Sequence, residues 1–222
     1  MDIVFVTDRH LIPVNILSDQ TPEDQGFDLL EGLVGQAFDH GVDRVILREK
    51  DLDKTAYEHL LRRILKTTSD RTQVSVHTHV DLAIAHGVSL HMTYQDYIAL
   101  PTESVEAVRQ NGGVVGCSIH KPSELSLLQN MVQAAEKASG AMSPDYLLLG
   151  TLFETTCKPG IEGGGLSLVE AFTTRTQIPL IGIGGIQPEH VSQLGEAGLK
   201  GVAVRSGFMV NPGRVLDYKA YL

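Results

Sequence analysis

Two stretches, Ile178–Gly185 (IPLIGIGG) and Gly201–Gly207 (GVAVRSG), decide the reading of the whole chain. Each holds an apolar run long enough for a strand buried on both faces, as in a parallel sheet. Each then stops abruptly in glycine or in Ser-Gly. Such endings leave backbone N–H groups bare and let an anion come close, because glycine has no Cβ to hold it off. Two successive strand–loop–helix units ending this way predict a corner that grips a phosphate group.

Outward from that corner, short apolar runs alternate with longer amphipathic segments, the pattern of a parallel α/β fold. Strands are predicted at Ile3–Thr7, Arg44–Arg48, Gln73–His77, Ser89–Met92, Val114–Ile119, Tyr146–Gly150, Pro179–Ile183 and Gly201–Val204. Helices are predicted at Glu23–His40, Lys54–Thr68, Val80–His86, Ser104–Gln110, Pro122–Ala138, Leu166–Thr174 and Pro188–Ala197, with a short one in the tail Asn211–Leu222. Their apolar positions recur every three or four residues, as at Phe27, Leu30, Leu33, Val34 and Phe38. An open dinucleotide-binding sheet uses the same units but carries glycines in its first βα turn. Here that turn reads Thr7-Asp8-Arg9-His10. A chain of 222 residues is near the ~250 of a closed eightfold barrel, whose phosphate sites lie in the loops after strands 7 and 8. No Pro-, Gly- or Ser-rich linker divides it, so residues 1–222 read as one domain, a single (β/α)₈ TIM barrel.

Composition narrows the partners. With 42% hydrophobic and 20% charged residues the chain can bury a full core. A formal charge of −9 with scattered basic residues argues against nucleic acid, which needs clustered Lys and Arg. Cys117 and Cys157 have no metal-type spacing and read as reduced thiols. The opening MDIVFVTDRH reads directly as a strand, without the basic region and apolar run of a secretory signal. No apolar stretch approaches the ~20 residues that span a bilayer. A cytoplasmic protein without a membrane or nucleic-acid partner is expected, and a homo-oligomer is compatible with the sequence.

In a barrel, the C-terminal strand ends converge on one rim. In chain order they bring Asp8 and Arg9, Arg48 and Lys50, His77 and His79, His91 and Asp96, Ser118 and His120, then Thr155, Thr156, Cys157 and Lys158. Gly184, Gly185, Arg205 and Ser206 follow in the phosphate loops. His77 and His79 point the same way if the strand continues through them, which would allow two zinc ligands with a third from His91 or Asp96. Substrate contact is the preferred reading, and no metal is expected.

ILREK at 46–50, GCSIH at 116–120, FETTCKPGIEGGG at 153–165, IGIGGI at 181–186 and VAVRSG at 202–207 resemble, in order, the motifs of the thiamine phosphate synthase superfamily. FETTCKPGIEGGG is more similar to the TenI-like thiazole tautomerase branch. That resemblance implies an isomerase that aromatises a 2-carboxy-4-methylthiazole ethyl phosphate tautomer by proton transfer, without a cofactor. His120 would be the acid/base. Arg48, Lys50, His77, Ser118, Thr155, Thr156, Lys158, Gly184, Gly185, Arg205 and Ser206 would contact the phosphorylated thiazole, with Arg205 offering its backbone N–H. The first alternative is a thiamine phosphate synthase, coupling hydroxymethylpyrimidine pyrophosphate with thiazole phosphate. The second is a catalytically silent thiazole-phosphate-binding regulatory protein. Synthases resembling this chain hold Mg²⁺ with two aspartates. Here Asp96 matches one, while His77-Thr78 stands where the other has its Asn-Asp pair.

Overall fold

The computed structural model describes residues 1–12, 22–136, 142–155, 160 and 163–222. Eight strands, β1 (Asp2–Val6), β2 (Arg44–Leu47), β3 (Val74–His77), β4 (Ser89–Met92), β5 (Val115–Ile119), β6 (Tyr146–Gly150), β7 (Leu180–Ile183) and β8 (Gly201–Val204), pair in chain order. All neighbours are parallel, and β8 closes on β1 through registers such as Val4↔Ala203. The expected barrel is therefore present, with each strand within a residue or so of its predicted span.

The helices are α1 (Pro22–Asp39), α2 (Lys54–Ile64), α3 (Val80–His86), α4 (Tyr94–Ile98), α5 (Thr102–Gln110), α6 (Pro122–Glu136), α7 (Gly165–Thr173), α8 (Val191–Glu196), α9 (Ser206–Val210) and α10 (Val215–Lys219). Side-chain caps fix two starts: Asp53 accepts from the Ala56 N–H before α2, and Thr93 accepts from the Asp96 N–H before α4. Helix α2 stops four residues short of its predicted end. Helices α4 and α9 are too short to carry a periodicity, and the sequence reading passes over both.

Alternation along each strand splits the core in two. Outward residues such as Phe5, Leu47, Val76, Leu90 and Leu149 pack under the helices in one large cluster. The barrel interior holds a smaller one of Val4, Val6, Ile46, Tyr146, Leu148, Ile181 and Ala203. That interior is lopsided. Strands β1, β7 and β8 fill it with aliphatic side chains, whereas β3 and β4 bring in Ser75, His77, Ser89 and His91, all buried. Tyr146 bridges the two halves. It lies opposite Gly116 in the β5–β6 register, and a Cβ on Gly116 would stand 2.0 Å from the Tyr146 Cζ. The glycine therefore makes room for the phenol ring across the barrel.

Candidate active site

A cavity of about 410 Å³ opens at the C-terminal ends of the strands. Of the predicted residues, Arg48, Lys50, His77, Ser118, His120, Thr155, Gly184, Arg205 and Ser206 line it. Thr156, Cys157 and Lys158 lie outside the described residues. Gly185 is set back from the wall: its left-handed φ of 64° and the Glu154 carbonyl oxygen 2.4 Å from where a Cβ would stand make it a packing requirement. Gly184, at φ 103°, has the same left-handed need while facing the cavity.

Strand β8 ends at this corner and the chain turns at Arg205 into α9, whose first N–H groups, like those of any helix, lack intrahelical acceptors. The Arg205 side chain turns away to Asp8, with Nη1 3.2 Å from Oδ2. That ion pair leaves the backbone as the part of Arg205 at the corner, and it ties the end of β8 to the end of β1. On the other side of β1, Arg48 and Lys50 flank Glu49. Glu49 is 2% exposed. Its carboxylate accepts from Thr7 Oγ1 at 2.6 Å and from the Arg9 N–H at 3.0 Å. Thr7 Oγ1 in turn accepts from the Arg48 N–H at 3.0 Å. Burial raises the Glu49 pKa, against these hydrogen bonds and the Arg9 charge.

The two histidines of the H-x-H motif diverge. Thr78 between them adopts φ 67°, a conformation uncommon for a β-branched residue. The strand ends there. His77 stays inward, its ring 6.1 Å from that of His91, while the His79 ring packs against Tyr57, with centroids 4.3 Å apart and planes tilted by 50°. Burial, then the charges of Lys50 and Arg48, push the His77 pKa down to about 4. This imidazole is neutral at physiological pH.

His91 sits deeper, 1% exposed. Its Nδ1 lies 2.9 Å from the Tyr146 hydroxyl and its Nε2 2.9 Å from Ser118 Oγ. Burial above all, then His77, Arg44 and Arg48, lower its pKa to about 3. Sequence reasoning placed His91 at the rim and did not single out Tyr146. The only local sign was Gly116, a residue without a side chain inside β5. Cys117, fully buried, has its pKa pushed up to about 12 by desolvation and is an inert thiol.

His120 lies at the mouth with 46% of its side chain exposed. Glu124, on the first turn of α6, accepts from the His120 and Lys121 N–H groups at 2.7 and 3.2 Å. Asp96 is exposed on α4 and accepts from Thr93 Oγ1 at 2.5 Å. Among the described residues no three His, Cys, Asp or Glu side chains are grouped to hold a metal ion. Mg²⁺ favours carboxylate oxygens. The groups that share a cleft with Asp96 are the imidazole of His77, the Lys50 ammonium and Glu49, whose carboxylate oxygens are already taken by Thr7 and Arg9, so the donor set does not fit a resident Mg²⁺.

The sequence profile of the family described as thiamine monophosphate synthase matches residues 16–208. A thiamine-phosphate synthase from Haloquadratum walsbyi is 32% identical over 181 residues, covering 78% of this chain and 74% of its own. Another, from Ruminiclostridium cellulolyticum, is 29% identical over 186 residues, covering 81% and 80%. Among solved structures, a thiamine phosphate pyrophosphorylase from Pyrococcus furiosus superimposes with a TM-score of 0.70 at 21% identity, covering 99% of this chain and 94% of the other, a likeness of fold.

These relatives correct two expectations. They are named as synthases, which are transferases, so neither the tautomerase reading nor the isomerase class stands. That reading leaned on two short segments, FETTCKPGIEGGG and His77-Thr78. Similarity to synthases over about four fifths of the chain outweighs them. No helix among the described residues is long and apolar enough to cross a membrane.

Proposed function

The chain belongs to the thiamine monophosphate synthase family, and on that premise we propose that it is a transferase joining a pyrimidine-methyl pyrophosphate to a thiazole phosphate, with residues 1–222 acting as one barrel. The thiazole nitrogen attacks the methylene carbon. A C–N bond forms, the C–O bond to pyrophosphate breaks, and pyrophosphate leaves with the bonding electron pair.

One observation carries this reading: two anion-favouring corners share one cavity on either side of β1. Arg48 and Lys50 form one, and Gly184, Arg205 and Ser206 form the other. The cationic pair suits the leaving pyrophosphate, because charges fixed beforehand stabilise negative charge as it develops. The backbone corner suits the thiazole phosphate, with Thr155 and Ser118 as further polar contacts and His120 at the entrance. Thr156, Lys158 and Gly185 belong to the same proposed set, the last by shaping the loop.

The test is product formation and pyrophosphate release from the two substrates, with Mg²⁺ and with EDTA. Condensed product in either condition supports the transferase. Tight binding of both ligands with no product in either condition overturns it. Arg48→Ala and Lys50→Ala are each expected to lower kcat/KM by about 100-fold, the order lost with one preorganised charge-stabilising group.

A further inference from the structure

Beneath the cavity a line of polar side chains runs through the barrel, from Arg44 at the start of β2 to Ser118 at the end of β5. The Arg44 guanidinium lies 5.6 Å from the centre of the Tyr146 ring and donates to Ser89 Oγ at 3.2 Å. Ser75, fully buried, has its hydroxyl beside the Tyr146 oxygen, and that hydroxyl makes no hydrogen bond of ordinary geometry. Above the phenol come His91 and then Ser118, each link 2.9 Å. A neutral imidazole has one donor and one acceptor nitrogen. The chain therefore has only two consistent directions, and they give Ser118 opposite roles.

Ser75 chooses between them. Its hydroxyl is fully buried and has to donate its proton, and the oxygen beside it is that of Tyr146. Once Ser75 donates to that oxygen, the Tyr146 proton turns toward His91 Nδ1. His91 must then carry its proton on Nε2 and give it to Ser118 Oγ. With its oxygen so occupied, the Ser118 hydroxyl turns its own proton into the cavity.

We propose that Tyr146 and His91 are positioning residues that fix Ser118 as a hydrogen-bond donor to an anionic or lone-pair oxygen of the bound ligand, so that Ser118 serves as neither nucleophile nor base. The inference deepens the reading of the cavity as an anion site and rests on it for the ligand. The direction of the chain stands without it.

The deciding experiment is ¹⁵N NMR of histidine-labelled full-length protein, with His91 assigned by loss of its signals in His91→Gln. The expected result is a single neutral tautomer protonated at Nε2. Protonation at Nδ1 overturns the proposal, because Ser118 would then donate inward. This measurement does not depend on whether the protein condenses the two substrates, so failure of the transferase leaves it intact. The second readout is affinity for inorganic pyrophosphate and, separately, inorganic phosphate. Ser118→Ala is expected to weaken one of them about tenfold, the scale of one hydrogen bond to a charged group. Tyr146→Phe should weaken the same ligand several-fold, with circular dichroism unchanged, and the double variant should be no weaker than Ser118→Ala alone. Fully additive losses, or no loss from Ser118→Ala with either probe, overturn it.

Discussion

Gly116 and Tyr146 show how one missing side chain can set a site. They are register partners on β5 and β6, and the phenol ring occupies the space that a Cβ on Gly116 would need. Gly116→Ala is expected to cost about 1–3 kcal/mol, as overpacking of a dense interior does, and to lower Tm by about 2–4 °C for each kcal/mol in a chain of this size. Tyr146→Leu should remove most of that extra penalty in the double variant, a coupling that urea unfolding of the four proteins would measure. Equal costs of Gly116→Ala in both backgrounds would show that the ring is not the obstacle. Thr78 presents the reverse case. Its φ of 67° places a β-branched residue where glycine is at ease. Thr78→Gly is expected to relieve about 1–3 kcal/mol of strain against a chain-entropy cost of about 0.5–1 kcal/mol. A net rise in Tm follows; a fall would mean that the Thr78 hydroxyl, 2.6 Å from the His77 carbonyl oxygen, matters more than the strain.

At the level of elements, the first loop acts as a strap. Thr7 and Arg9 after β1 bind Glu49 after β2, and Asp8 binds Arg205 after β8, so both anion corners are fastened to one segment. Glu49→Gln keeps the shape but loses the charge that faces Arg9, an ion pair of 3.4 Å. It is expected to cost about 1–3 kcal/mol, the range for hydrogen bonds to charged groups, and to weaken pyrophosphate binding by loosening Arg48. Calorimetric titration with unchanged affinity would sever the strap from the site. The strap was not legible in the sequence, because nothing local marks the glutamate between Arg48 and Lys50 as buried. The strands were legible, since apolar runs ending in glycine or in polar rim residues are a local signal. What escaped is non-local or too brief: the ring space that Gly116 leaves across the sheet, the turn at Thr78 that separates His77 from His79, and the five-residue helices α4 and α9.

Over the whole molecule, the polar half of the barrel sets how stability depends on pH. His77 and His91 are buried as neutral rings, facing Arg44, Arg48 and Lys50, with Asp96 a weaker opposing charge on His77. Their folded pKa values, about 4 and about 3, lie below the unfolded value near 6.5. Above pH ~6.5 neither state takes up the protons and this contribution is complete. As pH falls below that point the unfolded chain binds protons that the folded barrel refuses, and stability is lost until each ring titrates in place. Each histidine thus adds up to about 1.4 kcal/mol of lost stability per pH unit in that window. Glu49 works in the opposite sense, since its pKa is raised on folding, but ordinary carboxylates titrate mostly below the upper part of the window. Urea unfolding at about pH 7.5, 6 and 5 is expected to show a clear fall for the wild type, a shallower one for His91→Gln, and the shallowest for His77→Gln/His91→Gln. The comparison is of slopes, so it holds even where the variants are less stable at every pH. Parallel slopes in all three proteins would mean that the two rings accept protons within the folded barrel, and that its polar half is wetter than the buried side chains imply.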